Sequence, residues 1–189
     1  MTERWRKIAR WAALGALSGT LATLAIFIPQ WLNFYDALEG SLRAGGVDLS
    51  LSPLSLAPGL VFGLVVGHAL RREGLMSGVR YAAYIVAAGL SYFVTVQITL
   101  TILIDMLDNV ILIGVAAGAI GAALLAGATA ALIPDFQHRR PMIAMTLAGA
   151  VLGAALFFAI SSEHFFGWFL LFAPWQGGYA AAMATALEA

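Results

Sequence analysis

Cysteine is absent from this chain, and charged side chains are scarce. The 189 residues include no Cys, which excludes disulfides, thiolate metal sites and thiol redox chemistry together. Only 11% of the residues are charged and 61% are hydrophobic, whereas a soluble domain carries about 25% charged residues. With a mean hydropathy of +0.90, the composition indicates a membrane protein.

Long apolar runs take up nearly the whole length. A transmembrane helix needs about 20 mostly apolar residues, and runs of this kind cover positions 9–29, 53–70, 81–104, 109–133, 142–160 and 163–187. The sequence therefore predicts an all-α, polytopic integral membrane protein with six transmembrane helices in a single transmembrane domain, residues 1–189. The first run has a basic start like a signal peptide, but its apolar part is too long and no cleavage motif follows, so we expect a retained span.

The positions of the basic residues predict the topology. Nine of the ten precede the apolar run of the first span, which begins at Trp11, or lie between the second and third or the fourth and fifth spans: Arg4, Arg6, Lys7, Arg10, Arg71, Arg72, Arg80, Arg139 and Arg140. Only Arg43 lies in a segment of the opposite parity. Because short loops rich in Lys and Arg stay in the cytoplasm, we expect an N-in/C-in protein. The small size and compactness of the chain favour the bacterial inner (plasma) membrane. Topology explains the basic clusters, so no nucleic-acid partner is predicted.

The segment between the first two spans, residues 30–52, is the longest predicted loop. Its apolar side chains recur at helical spacing: Trp31, Phe34, Tyr35, Leu38 and Leu42. This spacing predicts one short amphipathic helix lying on the outer membrane surface. A helix packed over the mouth of the bundle is the alternative.

Prolines predict two irregular spans. The residue before a proline is biased away from the α region, so Pro53 and Pro58 predict that the unbroken second helix starts near Pro58. Pro174 and the pair Gly177 and Gly178 lie near the middle of the sixth span. Proline removes a backbone donor and glycine lowers helix propensity, so a kink or an unwound turn is expected there.

Glycines at four-residue spacing predict close helix packing. Such spacing removes side chains from one helix face and lets backbones approach, because lipid supplies no hydrophobic drive for helix association. The predicted packing residues are Gly63, Gly67, Gly114, Gly118, Gly121, Gly149 and Gly153. The fourth and fifth spans are expected to cross through these faces. A seam between copies of the chain and a substrate cavity are the alternatives.

Polar groups at membrane depth are few. The centres of the spans lack Asp, Glu, Lys and Arg, whereas ion-coupled carriers usually keep an intramembrane charge. The candidate ligand-binding residues are Gln176, Trp175, Pro174, Gln97, Tyr92 and His68. Gln176 is the first choice because it lies within the predicted break, and the alternative is that it bonds a neighbouring carbonyl and stabilises a kink. No catalytic residue, metal ligand or cofactor is predicted.

Several functions fit these features. The first is a small-solute membrane transporter, channel or membrane-embedded substrate-binding subunit. In length and number of spans the chain resembles the substrate-binding components of energy-coupling-factor vitamin transporters, a likeness of architecture that implies no particular binding residue. The alternative is a non-catalytic integral membrane subunit or anchor of a larger membrane complex. An enzyme acting on lipids or peptides is the least favoured. Expected partners are the lipid bilayer and either further copies of the chain or other membrane subunits.

Overall fold

Helix dominates the computed structural model, which describes residues 2–44, 47–162 and 164–187. The helices are α1 (Glu3–Trp31), α2 (Pro53–Arg72), α3 (Gly78–Ile98), α4 (Ile104–Met106), α5 (Val110–Leu132), α6 (Arg139–Gly153), α7 (Leu156–Ser162) and α8 (Phe165–Ala186). A π-helical turn, Thr99–Leu103, joins α3 to the single turn α4. Two short strands, β1 (Gly40–Ala44) and β2 (Val47–Leu51), form an antiparallel hairpin between α1 and α2.

Five helical stretches are long and apolar enough to cross a membrane, as in a multi-pass membrane protein. They are Glu3–Trp31, Pro53–Arg72, Gly78–Met106, Val110–Leu132 and Arg139–Ser162. The remaining long helix, α8, has 22 residues, but Pro174, Trp175, Gln176 and two glycines make its middle less apolar. Position 163, where the sequence places the start of a sixth span, lies outside the described residues.

The long helices form a ring. Going round it, α1 is followed by α2, α3, α5, α6 with α7, and α8, which packs back against α1. The closest contacts join three antiparallel pairs: α1 with α8, α2 with α3, and α5 with α6. The ends of α1 and α8 nearest the chain termini lie at one end, called here the terminus end, together with the α2–α3 and α5–α6 connections. The β1–β2 hairpin and the α7–α8 connection lie at the other, called the hairpin end.

Glycine explains how closely these pairs approach. A Cβ added at Gly63 of α2 would lie 2.6 Å from the Cα of Ile85 in α3. One added at Gly118 of α5 would lie 2.9 Å from the Cα of Gly153 in α6. In α1, Gly15 faces the backbone of Gln176 in α8. At each position any side chain would force the two backbones apart.

The other predicted packing glycines also lie at helix contacts. Gly67 faces the ring of Tyr84, Gly114 the carbonyl of Gly153, Gly121 the hydroxyl of Thr95, and Gly149 the Cβ of Ala122. The α5–α6 pair is the crossing that the sequence predicts for the fourth and fifth spans.

The terminus half of the ring is filled by large side chains. Those least exposed include Trp11, Leu70, Tyr84, Phe136, Met145, Tyr179 and Met183. They come from α1, α2, α3, α6, α8 and the turn after α5, so the elements around the ring meet in one core there.

The second span starts earlier than expected. Helix α2 begins at Pro53, because Ser52 and Ser55 cap it reciprocally: the Ser55 N–H donates to Ser52 Oγ (3.3 Å) and the Ser52 N–H donates to Ser55 Oγ (2.9 Å). Pro53 then occupies the first turn, where its missing N–H is no loss. Pro58 lies within the helix, so the prediction of a start near Pro58 was wrong.

The expected unwound turn in the last span is also absent. Helix α8 runs without interruption through Pro174 from Phe165 to Ala186. Packing on both sides of the proline accounts for this: Phe172 lies against Gly19 of α1, and Gln176 lies against Gly15. Neighbouring helices commonly support proline in transmembrane helices. The described chain is irregular elsewhere, at Thr99–Leu103 and between α6 and α7.

The predicted amphipathic helix was wrong as well. A 3₁₀ turn at Asp36–Leu38 is followed by the β1–β2 hairpin. Residues 45 and 46, between the strands, lie outside the described residues. They are Gly-Gly in the sequence, a common signal for a tight hairpin turn. Leu49 and Leu51 alternate with polar residues, a period of two that favours a strand over a helix.

Candidate functional site

A cavity of about 340 Å³ lies inside the hairpin half of the ring. Its wall is built by α2, α3, α5, α8 and the region where α6 gives way to α7. Large aromatic side chains form one part of the wall: Phe62, Tyr92, Trp168, Phe172 and Trp175. Small residues form another: Ala88, Gly114, Ala117, Gly118 and Gly121. The empty space exists because the residues of α3 and α5 that border it here are small.

The cavity extends from mid-bundle toward the hairpin end. Its deep end is bordered by Phe62 and Gln176, which lie near the middle of their helices, and by Leu125. At the hairpin end it is bordered by Leu100 and Ile160, which are 48% and 44% exposed. A molecule entering from the hairpin end would therefore first meet aliphatic side chains.

Most polar groups in the wall already have partners. The hydroxyls of Ser91, Thr95 and Thr99 each donate to the carbonyl four residues earlier, at 2.8, 2.7 and 2.8 Å. The indole N–H of Trp175 donates to the carbonyl of Gly149 at 3.0 Å, which ties α8 to α6. These bonds leave an apolar interior.

Gln176 is the exception at the deep end. Its side chain is only 1% exposed, so it points into the bundle, as the sequence predicts. Its Nε2 donates to the carbonyl of Pro58 at 3.1 Å, and its Oε1 has no hydrogen-bond partner among the described residues. A carbonyl can only accept, so the amide must turn its NH₂ group toward Pro58. A buried polar atom left without a partner costs about 1–3 kcal/mol.

A packed plug closes the cavity toward the terminus end. The ring of Tyr179 meets that of Phe62 edge to face at 5.6 Å. The side chains of Tyr179 and Tyr84 both lie beside Thr129, and all three residues are fully buried. Beyond these residues the buried core of the terminus half follows.

The structure divides the six predicted site residues. Gln176, Trp175 and Tyr92 line the cavity, whereas the other three lie elsewhere. Pro174, one residue before Trp175, is exposed on α8. His68 is also exposed, with its ring 6.3 Å from that of Tyr81.

Gln97 holds the hairpin in place. Its Nε2 donates to the carbonyl of Ser50 at 2.9 Å, and its Oε1 accepts from the Ser50 N–H at 3.0 Å. The side-chain amide thus bonds both backbone polar groups of Ser50, as a neighbouring strand would, and attaches the hairpin to α3. Both polar ends of the amide are used, so Gln97 contributes to fold rather than to the cavity.

Comparison with other proteins does not extend this description. No protein-family model matches the chain, and neither a curated protein nor a solved structure matches it.

Sequence reasoning missed part of the cavity wall. Trp168 and Phe172 stack at 5.8 Å and line it, as do Ala88, Ser91 and Thr95. A signal for the last three exists, because small and hydroxyl residues recur in α3 at helical spacing. That stripe differs from the larger side chains around it.

Proposed function

We propose that the protein is a membrane-embedded binding subunit, or the binding core of a transporter, for a small and mostly apolar molecule. The observation that carries the proposal is the cavity of about 340 Å³ with its aromatic and aliphatic wall. Ligand sites are typically concave, mostly apolar and about 300–1,000 Å³ in volume, with a few placed polar groups. The packed plug beneath the cavity favours binding over a continuously open channel.

The proposal includes six spans with both termini in the cytoplasm of a bacterial inner membrane. Helix α8 follows α1 along its length, from the ring contact of Phe165 with Phe27 at 5.8 Å to the approach of Ala180 to Gly15. At about 1.5 Å per residue its 22 residues extend about 33 Å, enough for a hydrocarbon core of about 30 Å. The nine basic residues near the terminus end support this orientation.

Reporter fusions test the topology. After residue 189, a reporter that works only in the cytoplasm should be active, and one that works only outside the membrane should be inactive. Within the segment 30–52 the two reporters should give the opposite result. An external C-terminus would contradict the six-span arrangement, with α8 the helix to reconsider.

Filling the cavity tests the binding function. We expect purified wild-type protein in native-membrane nanodiscs to retain a small apolar molecule that mass spectrometry detects after extraction. Ala117→Phe places a ring in the cavity and should abolish this retention. Ala123→Phe makes the same change on α5 at an exposed position and should leave retention unchanged.

Two results would contradict the binding function. One is equal retention by the Ala117→Phe and Ala123→Phe variants. The other is a wild-type protein that carries no small molecule but co-purifies in fixed ratio with another membrane subunit, which would favour the anchor function.

A further inference from the structure

We infer that the cavity selects a neutral ligand with a hydroxyl or N–H group at one end of an apolar body, and that Gln176 Oε1 accepts the hydrogen bond from that group. The inference rests on the proposed binding function and adds a ligand class to it. It makes Gln176 the residue that orients the ligand, with its polar end toward mid-bundle and its apolar body toward the hairpin end.

The position of the Gln176 amide supports this assignment. The amide joins two walls of the deep end, since Gln176 on α8 and Pro58 on α2 both border the cavity. Its NH₂ group is held by the carbonyl of Pro58, which fixes the side chain before any ligand arrives. Its oxygen is buried and has no partner among the described residues. The Gln176 oxygen is thus a preorganised acceptor, and its natural partner is a hydrogen-bond donor on the ligand.

The rest of the wall excludes other ligand chemistry. Of the described residues that border the cavity, none is acidic, basic or histidine. A charged ligand would therefore lose its hydration without gaining a counter-ion. The wall hydroxyls of Ser91, Thr95 and Thr99 donate within α3 and its continuation. The oxygens of these hydroxyls and of Tyr92 can still accept a hydrogen bond, but Gln176 Oε1 is the buried acceptor in the wall without a partner among the described residues. We therefore assign the selectivity for a donor group to the Gln176 oxygen, while the aromatic side chains favour a flat apolar body.

A pair of matched probes tests the inference in the unmodified protein. We would use 2-naphthol and 2-methoxynaphthalene, which share a flat apolar body but differ in the hydroxyl donor. Binding is measured by equilibrium dialysis of the full-length protein in nanodiscs, with protein-free nanodiscs correcting for partition into lipid. We expect 2-naphthol to bind about fivefold more tightly than its methyl ether, as for one neutral hydrogen bond.

A matched pair of variants assigns the preference to one atom. Gln176→Met keeps the side-chain length but removes the acceptor. The variant should therefore bind 2-naphthol and its methyl ether about equally well. Gln137→Met makes the same change at an exposed position outside the cavity and should keep the wild-type preference.

The outcomes separate the two proposals. Equal binding of both probes by the wild-type protein would overturn the inference and leave the binding function standing. The same holds if Gln176→Met folds and keeps the preference, because a bound water or another group would then occupy the Gln176 oxygen. Binding of neither probe above the level of protein-free nanodiscs would overturn the binding function and the inference together. If Gln176→Met fails to fold, the wild-type comparison still decides.

Discussion

The two halves of the ring are built from the same helices but have opposite interiors. In the terminus half Trp11, Tyr84 and Tyr179 are fully buried and fill the centre. In the hairpin half Ala117 and Gly118 border the cavity. Glycine contacts join the helix pairs in both halves, so close pairing does not decide whether the interior is filled. The size of the side chains that point inward decides whether the interior is filled.

Helix α5 contains this difference within one element. Its first part faces the cavity with Gly114, Ala117, Gly118 and Gly121, and its last part contributes Ala126 and Thr129 to the packed half. The glycines of this part also contact the two neighbouring helices, Gly121 against α3 and the other two against α6. Small residues therefore do two things here: they bring neighbouring helices together and leave room at the centre.

The largest effect expected from this contrast is on stability. Trp11→Ala should lower the free energy of unfolding by about 3–5 kcal/mol, because it leaves a void in a fully packed region. Trp168→Ala, at a half-buried position beside the cavity, should cost clearly less, since one side of that ring already lacks packing partners. Reversible unfolding in mixed micelles with rising dodecyl sulfate measures both. Equal losses would mean that the two halves are packed alike.

A smaller effect is expected from widening a helix pair. Gly118→Leu should destabilise the protein by about 1–3 kcal/mol, as overpacking does, because the new side chain meets the Gly149 carbonyl and the Gly153 Cα. Gly127→Leu, on the same helix with open space around it, is the control and should unfold like the parent. Thermal melting followed by size-exclusion chromatography compares them. Parent-like melting of the Gly118 variant would remove the packing argument for α5 and α6.

The sequence predicts the parts of the structure that depend on local composition. Five apolar helices follow from their hydrophobic length, and the glycine faces follow from their spacing. The start of α2 could also have been predicted from nearby residues. Ser52 and Ser55 have the spacing of a reciprocal cap, which places the helix start before Pro58. The Gly-Gly pair at 45 and 46 was a hairpin signal that the helical spacing of the nearby aromatic residues outweighed.

The parts that depend on distant contacts could not be predicted. Pro174 remains within a continuous helix because α1 packs against α8 on both sides of the proline. The residues near Pro174 in the sequence do not predict that contact. Gln97 and Gln176 look alike in sequence, each a lone amide in an apolar run. One meets the backbone of Ser50, and the other borders the cavity, because the ring brings different partners to each. The ring order decides the role of each amide.

The π-helical turn at Thr99–Leu103 has a consequence for insertions and deletions. A π turn holds about one residue more than an α turn. The cavity-lining residues recur at every fourth position from Ala88 to Leu100, and Ile104 continues this spacing through the turn. Deleting one residue within the turn would restore α-helical winding and leave the following residues facing nearly the same way, because the wider turn absorbs its extra residue. Within this part of the chain, the turn is thus the place where the loss of one residue should disturb the cavity wall least, whereas a deletion inside α3 would rotate every lining residue that follows it.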